Sequence, residues 1–266
     1  MTSTAFDVIQ YRAANQIVID LIKATHRWET DEGFIADGVI CPENYAKQSF
    51  RVACILAESY GYDECHVTSI ELQVEQDVLG LTNSKVKAPR KLATLLWLLR
   101  SSFRQGRMIE WVDFPSLFKI THENTELLQS ALSEVAWINV KKASRHSRTH
   151  MDSEEVWQHA KRNKKVIRAQ LDAISPHLLI PCGKAVFQAL KKLAIFPEEV
   201  SYKRKWQVQS IAGGPMIVEV THPRNWWSYE KLYRNFECVY KQLAEQVGAP
   251  IRLPAASMES KVDQSY

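Results

Sequence analysis

HLLIPCGKAVFQALKKL, residues 177–193, sets the reading of the fold. Its first part, HLLIPC (177–182), is a short continuous apolar run rather than an alternating one. A run of that kind is buried on both faces, as a strand inside a parallel sheet is. After Gly183 the period changes. Val186, Phe187, Leu190 and Leu193 recur at helical spacing and predict a helix with those residues inward.

Working outward, RVACILA (51–57) and VAWINV (135–140) carry the same strand signature. Between the second of these and residue 177, Asp152 and Glu155 stand at capping-box spacing. Val156, Ala160, Ile167, Leu171 and Ile174 then make one stripe of an amphipathic helix. Upstream, Ile9, Ala13, Ile17, Leu21 and Ile22 predict a helix within residues 5–26. Downstream, QVQSI and MIVEV flank AGGP (212–215), as one strand or a hairpin. Ser228 is placed to cap a last helix carrying Leu232, Phe236, Tyr240, Leu243 and Val247, with Gly248 ending it.

Strands alternating with helices predict an α/β protein, a three-layer α/β/α sandwich around a mainly parallel central sheet. Residues 1–248 read as one domain, with a helical extension over 1–49 and a long insertion over about 62–133. The stretch 249–266 is rich in Pro, Ser and charge and is expected to be a flexible tail.

Bulk properties bound the function. The 45% hydrophobic and 24% charged residues fit a soluble globular chain. The five cysteines are odd in number, scattered and without a CxxC pair, which favours free thiols in a reducing compartment. The first residues show no basic segment followed by an apolar one, and LATLLWLL (92–99) is too short to span a bilayer. A cytoplasmic location without membrane attachment is expected.

The net charge of +4 is unevenly placed: residues 1–83 hold 5 Lys/Arg against 13 Asp/Glu, and the remainder holds 29 against 17. Basic clusters recur at 85–91, 141–148, 161–168 and 203–205, which suits a polyanion-binding face. His146, His150 and His159 lack an acid or cysteine spaced to complete a metal site, so no metal is expected.

Ligands of open α/β sheets bind beyond the carboxyl ends of the strands. Three segments fall there: AESYG (57–61), NVKK (139–142) and THPRN (221–225). An acidic loop, then an Asn ending the next strand, then a late His-Pro resembles the uracil-DNA glycosylase superfamily. That family's first motif commonly reads Gly-Glu-Ala-Pro-Gly or Gly-Gln-Asp-Pro-Tyr. Ala57-Glu58-Ser59-Tyr60-Gly61 keeps the acid and the final Gly but replaces the first Gly and the Pro. Asn139 matches the family's base-reading Asn, and His222-Pro223-Arg224 stands where the family has His-Pro-Ser before a DNA-inserting loop. The resemblance covers roughly 50–61 and 134–240.

What the resemblance implies is a monofunctional DNA glycosylase, monomeric, with DNA as partner and no cofactor. Cleaving a base–sugar bond builds oxocarbenium character on the sugar and negative charge on the departing base. Glu58 would stabilise the first and position water, and a neutral His222 would donate to the anionic base. Asn139 presents both a donor and an acceptor to a base edge. Ser59, Tyr60, Gly61 and Tyr62 would shape the base pocket. Lys141, Lys142, Arg145, Arg224 and Asn225 would contact phosphates, with Trp226 or Trp227 as the wedge filling the gap left by the flipped base.

Some members hold an iron–sulfur cluster on four cysteines. Their spacing is missing here, and Lys142, Ala143 and Ser144 occupy the stretch that often supplies one ligand. Ser59 and Tyr60, where the nearest family pattern has Ala and Pro, point to a damaged or modified base rather than uracil. A modified pyrimidine protecting a phage genome would make this a defence enzyme. The alternatives are a uracil-excising repair enzyme, a catalytically idle nucleic-acid-binding module and an enzyme of free nucleotides. Glu58 together with His222 argues against the idle module, and the basic clusters favour a polymer over a nucleotide.

Overall fold

In the computed structural model, which describes residues 6–25, 35–57, 68–69, 87–114, 122–142, 151–202, 206–221 and 228–248, the run 51–57 becomes the centre of the sheet. This strand, β3 (Val52–Leu56), follows α1 (Val8–Thr25), β1 (Ile35–Ala36), β2 (Gly38–Val39) and α2 (Pro42–Ala46). Among the described residues the short β4 (Thr68–Ser69) pairs with β1, in parallel. Next come α3 (Lys87–Gln105), α4 (His122–Ser133), β5 (Ala136–Asn139), α5 (Ser153–Arg162) and α6 (Lys164–Ile174). The chain continues through β6 (Leu178–Pro181), α7 (Lys184–Lys192), β7 (Val208–Ser210), β8 (Met216–Val218) and α8 (Tyr229–Val247).

The main sheet has the order β2-β5-β3-β6-β8-β7. Its four inner strands are parallel, and β2 and β7 add antiparallel edges. The predicted α/β class and mainly parallel sheet are therefore observed. The continuous apolar runs have the expected cause: residues along each inner strand alternate between two cores. Val52 and Cys54 of β3, Trp137 of β5 and Leu178 and Ile180 of β6 face one core, built with α3, α4 and α8. Ala53 and Ile55, Ala136 and Ile138, and Leu179 face the other, built with α5, α6 and α7. Both sides of the sheet are thus covered, giving three layers.

These layers also absorb the segments expected as embellishments. The N-terminal stretch supplies edge strand β2, and α1 packs on α6 through Val18, Ile22 and Val166. Gly38 of β2 is required by close approach, because a Cβ there would lie 2.7 Å from the Tyr11 hydroxyl oxygen. That hydroxyl accepts the Val39 N–H at 2.8 Å. From the stretch 62–133, α3 and α4 make much of one helical layer.

Three local expectations change. The stripe on α1 is Tyr11, Val18 and Ile22, while Ile9 is 82% and Ile17 68% exposed. The long helix after Asp152, whose capping box is present, is two helices that meet at Asn163. The cause is a buried polar residue on the apolar face: Asn163 Nδ2 donates to the Val140 carbonyl at 2.8 Å and so ties the joint to the end of β5. AGGP turns a β7–β8 hairpin, one of the two expected forms. In α8, Ser228 caps the Lys231 N–H and Gly248 ends the helix in the left-handed region at φ 67°, as expected, but Val247 is 40% exposed.

Candidate functional site at the carboxyl end of the sheet

The chain leaves β3 toward α3 and α4 on one face and leaves β5 and β6 toward α5 and α7 on the other. The carboxyl end of β3 is therefore a topological switch point, where neighbouring connections diverge and open a crevice. Its borders are fixed by backbone hydrogen bonds. Val140 N–H donates to Leu56 O at 2.8 Å, Lys141 N–H to Ala57 O at 2.9 Å and Cys182 N–H to Ile55 O at 2.8 Å. Val220 bridges Cys182 in parallel, and Gly183 N–H donates to Val220 O at 2.9 Å. So Ala57, Asn139 and Thr221, the residues that open or lead into the three singled-out segments, lie at one edge of one sheet.

Glu58, Ser59, Tyr60, Gly61 and Tyr62, and likewise Arg145, His222, Pro223, Arg224, Asn225, Trp226 and Trp227, lie outside the described residues. Asn139, Lys141 and Lys142 are described, and they divide sharply.

Asn139 closes β5, paired with Leu56 across β3, and its side chain shares the face of Trp137 two residues back. It is fully buried, and neither Oδ1 nor Nδ2 has a hydrogen-bond partner among the described residues. No other described buried side chain has two orphaned polar atoms. Leaving an amide's groups dry and unpaired costs about 1–3 kcal/mol for each. A donor and an acceptor held side by side at the carboxyl end of β5 suit a planar ligand edge carrying the complementary pair.

Lys142 departs from the expected phosphate contact. Its side chain is fully buried. The ammonium donates to Asp37 Oδ1 at 2.7 Å, to Asp37 Oδ2 at 3.0 Å and to Gln170 Oε1 at 2.7 Å. Burial pulls the Lys142 pKa below the ordinary lysine value, and the Asp37 carboxylate works in the opposite direction. An ammonium committed in this way has no face left for a phosphate. Lys141 is also largely buried, at 7% exposure, while Arg145, the third residue of the expected rim, lies outside the described residues.

The cluster around Lys142 includes groups that the sequence reading missed. Gln170 Nε2 donates to Asp37 Oδ1 at 2.6 Å and to the Asp37 carbonyl at 2.9 Å. The other carboxylate oxygen, Asp37 Oδ2, accepts the main-chain N–H of Asn139 itself. Two signals were available in the sequence. Asp37 interrupts an otherwise apolar IADGVI, and Asn163 and Gln170 fall on the same helical stripe as Ile167 and Ile174.

Basic side chains do reach the surface near this edge, at the helix joint. Lys161, Arg162, Lys164 and Lys165 are exposed on either side of Asn163, which is anchored to Val140. Among the described residues no group of His, Cys, Asp and Glu is placed to hold a metal ion, and no helix is long and apolar enough to cross a membrane. A scan of the chain against protein-family models found no match, and a search of curated proteins found none.

Proposed function

We propose that this chain is a monofunctional DNA glycosylase that hydrolyses the bond between a flipped-out base and its sugar and leaves an abasic site. The observation that carries the reading is the Asn139 carboxamide, buried, unpaired and set at the switch point of the sheet. It supplies the base-reading pair of a pocket into which a single nucleotide is extruded. In this reading Glu58, just after Ala57, faces the sugar, stabilises the oxocarbenium-like carbon and orders the attacking water. His222, just after Thr221, stays neutral and donates to the departing base as its charge grows. Glu58 follows the end of β3 by two residues and His222 the end of β8 by four, each one residue past the described chain.

Phosphates are assigned to the exposed group Lys161, Arg162, Lys164 and Lys165, with Arg224 and Asn225 beyond the β8 end. Trp226 or Trp227 is the wedge. The base is a damaged or modified one, on the strength of Ser59 and Tyr60 in the pocket segment. Incubating the protein with end-labelled oligonucleotides that carry uracil, deaminated, oxidised or bulky modified pyrimidines, followed by alkali, tests both levels. Alkali-labile breaks at one base support the activity. Robust release of uracil, without release from hypermodified DNA, overturns the substrate, and no breaks at any base overturn the activity.

A further inference from the structure

The buried Asp37–Lys142–Gln170 cluster is more elaborate than edge strand β2 needs. Strand β2 contributes only Gly38 and Val39 to the ladder with β5, opposite Trp137 and Ala136. Beyond that ladder the main-chain N–H of Asn139 is met by the Asp37 carboxylate rather than by a backbone carbonyl. The carboxylate is itself held from behind by the Lys142 ammonium and the Gln170 amide. Asp37 and Lys142 both have fully buried side chains, and Gln170 is 1% exposed. Replacing a buried ion pair with apolar groups of similar volume is often neutral for stability, so stability alone is a weak reason to build one. What a carboxylate clamped on both oxygens does supply is a fixed position for the group it accepts from.

We propose that Asp37 is a positioning residue for Asn139: locked by Lys142 and Gln170, its carboxylate holds the Asn139 main chain, and through it the Cα–Cβ direction, so that the unpaired amide presents one orientation beyond the strand end. Resting on the glycosylase reading, the cluster sets base selectivity: a fixed amide distinguishes a donor–acceptor edge from its reverse, whereas a swivelling one reads both. Bond breaking stays with Glu58 and His222, outside the cluster.

Two double variants separate positioning from folding. Asp37→Leu with Lys142→Met removes the charges and also the acceptor for the Asn139 N–H. Asp37→Asn with Lys142→Met removes the charges but keeps that acceptor, while Gln170 turns its amide over to accept from the new one. Thermal melts establish that both fold, and Gln170→Leu serves in place of the first variant if it does not. The first readout is the carboxamide NH2 pair of Asn139 in ¹H–¹⁵N spectra of the labelled full chain. It is expected to be a single sharp pair in the wild type and the Asn/Met variant, and doubled or broadened in the Leu/Met variant.

The second readout is the ratio of kcat/KM between the best and second-best base. It is expected to fall about tenfold in the Leu/Met variant and to stay within about twofold in the Asn/Met variant. An unchanged Asn139 carboxamide signal in the folded Leu/Met variant overturns the proposal, as does equal loss of selectivity in both variants. A wild type that excises no base, with the spectra behaving as expected, overturns the glycosylase reading and leaves the positioning role standing.

Discussion

The two ends of the sheet are built from similar polar residues used in opposite ways. At the amino end, Arg51 is 3% exposed and largely committed to the fold. Its Nε donates to the Ser175 carbonyl at 3.1 Å, closing the end of α6, and its guanidinium lies over the Phe6 ring at 5.9 Å. His177 Nδ1 accepts the Arg51 N–H at 3.0 Å, while the N–H groups of His177 and Leu178 donate back to Arg51 O. At the carboxyl end the Asn139 amide has no such partner. A cavity of about 960 Å³ lies at the amino end, lined by Arg51, Arg168, His177, Gly213 and Gly214. Arg168 there caps the carbonyls of Leu193 and Ala194. Among the described residues, the polar groups beside the amino-end cavity are mostly satisfied by the fold, while the Asn139 amide at the carboxyl end has no partner.

The strongest way to break this contrast is at the carboxyl end. Glu58→Gln or His222→Ala is expected to lower single-turnover excision by about 10³-fold or more, because in the proposed mechanism both groups serve charge that develops only in the transition state. DNA affinity measured by fluorescence anisotropy should stay within a few-fold. Loss of binding in parallel with activity would make them docking or folding residues instead. At the amino end the expectation reverses. Arg51→Ala removes a buried charge-assisted hydrogen bond and the guanidinium lying over Phe6, and should cost about 2–3 kcal/mol in denaturant unfolding. Excision per folded molecule should be retained, and a large loss of activity with intact stability would erase the distinction between the two ends.

A smaller effect tests the surface beside the helix joint. Replacing Lys161, Arg162, Lys164 and Lys165 together by Gln should weaken DNA binding about tenfold at moderate salt. The slope of log affinity against log salt should flatten by roughly one for each phosphate no longer neutralised. An unchanged slope moves the DNA path elsewhere. The smallest effect is a pH dependence at the amino end. Burial first, and the Arg51 charge second, hold the His177 pKa below its ordinary 6.5. The unfolded chain therefore binds the proton more readily. The contribution of His177 to stability is present above about pH 6.5 and is lost as pH falls through the window below it. His177→Phe should flatten the unfolding free energy between pH 6.5 and 5, relative to wild type, and an unchanged slope assigns the acid sensitivity to other groups.

Much of this frame was legible in the sequence. Continuous apolar runs identified β3, β5 and β6, because buried parallel strands need apolar residues on both faces. The Asp152–Glu155 box and the Ser228 and Gly248 caps are local signals, and each fell where expected. The failures share a physical cause. In α1, spacing alone favours Ile9 and Ile17 over Tyr11, whose hydroxyl is needed by the Val39 N–H, a partner far along the chain. Lys142 looks like a surface base in the sequence because nothing adjacent shows that Asp37 and Gln170, 105 and 28 residues away, enclose it. Polar residues on an apolar stripe, as Asn163 and Gln170 are, mark such long-range closures. The Asn139 position followed from strand-end placement, but its want of a partner is a property only of the assembled fold.

The position of β3 has a consequence for synthesis. Its neighbours β5 and β6 begin about 80 and about 120 residues after Leu56. A ribosome adding roughly 5–20 residues per second needs some seconds to deliver either partner. During that interval the apolar, β-prone VACIL run waits with both edges open, the state in which strands pair with the wrong chain. The middle of the finished sheet is thus made early and waits for both of its partners. Its nascent chain is a natural client for holdase chaperones, and expression at reduced temperature should favour recovery of folded protein over aggregate.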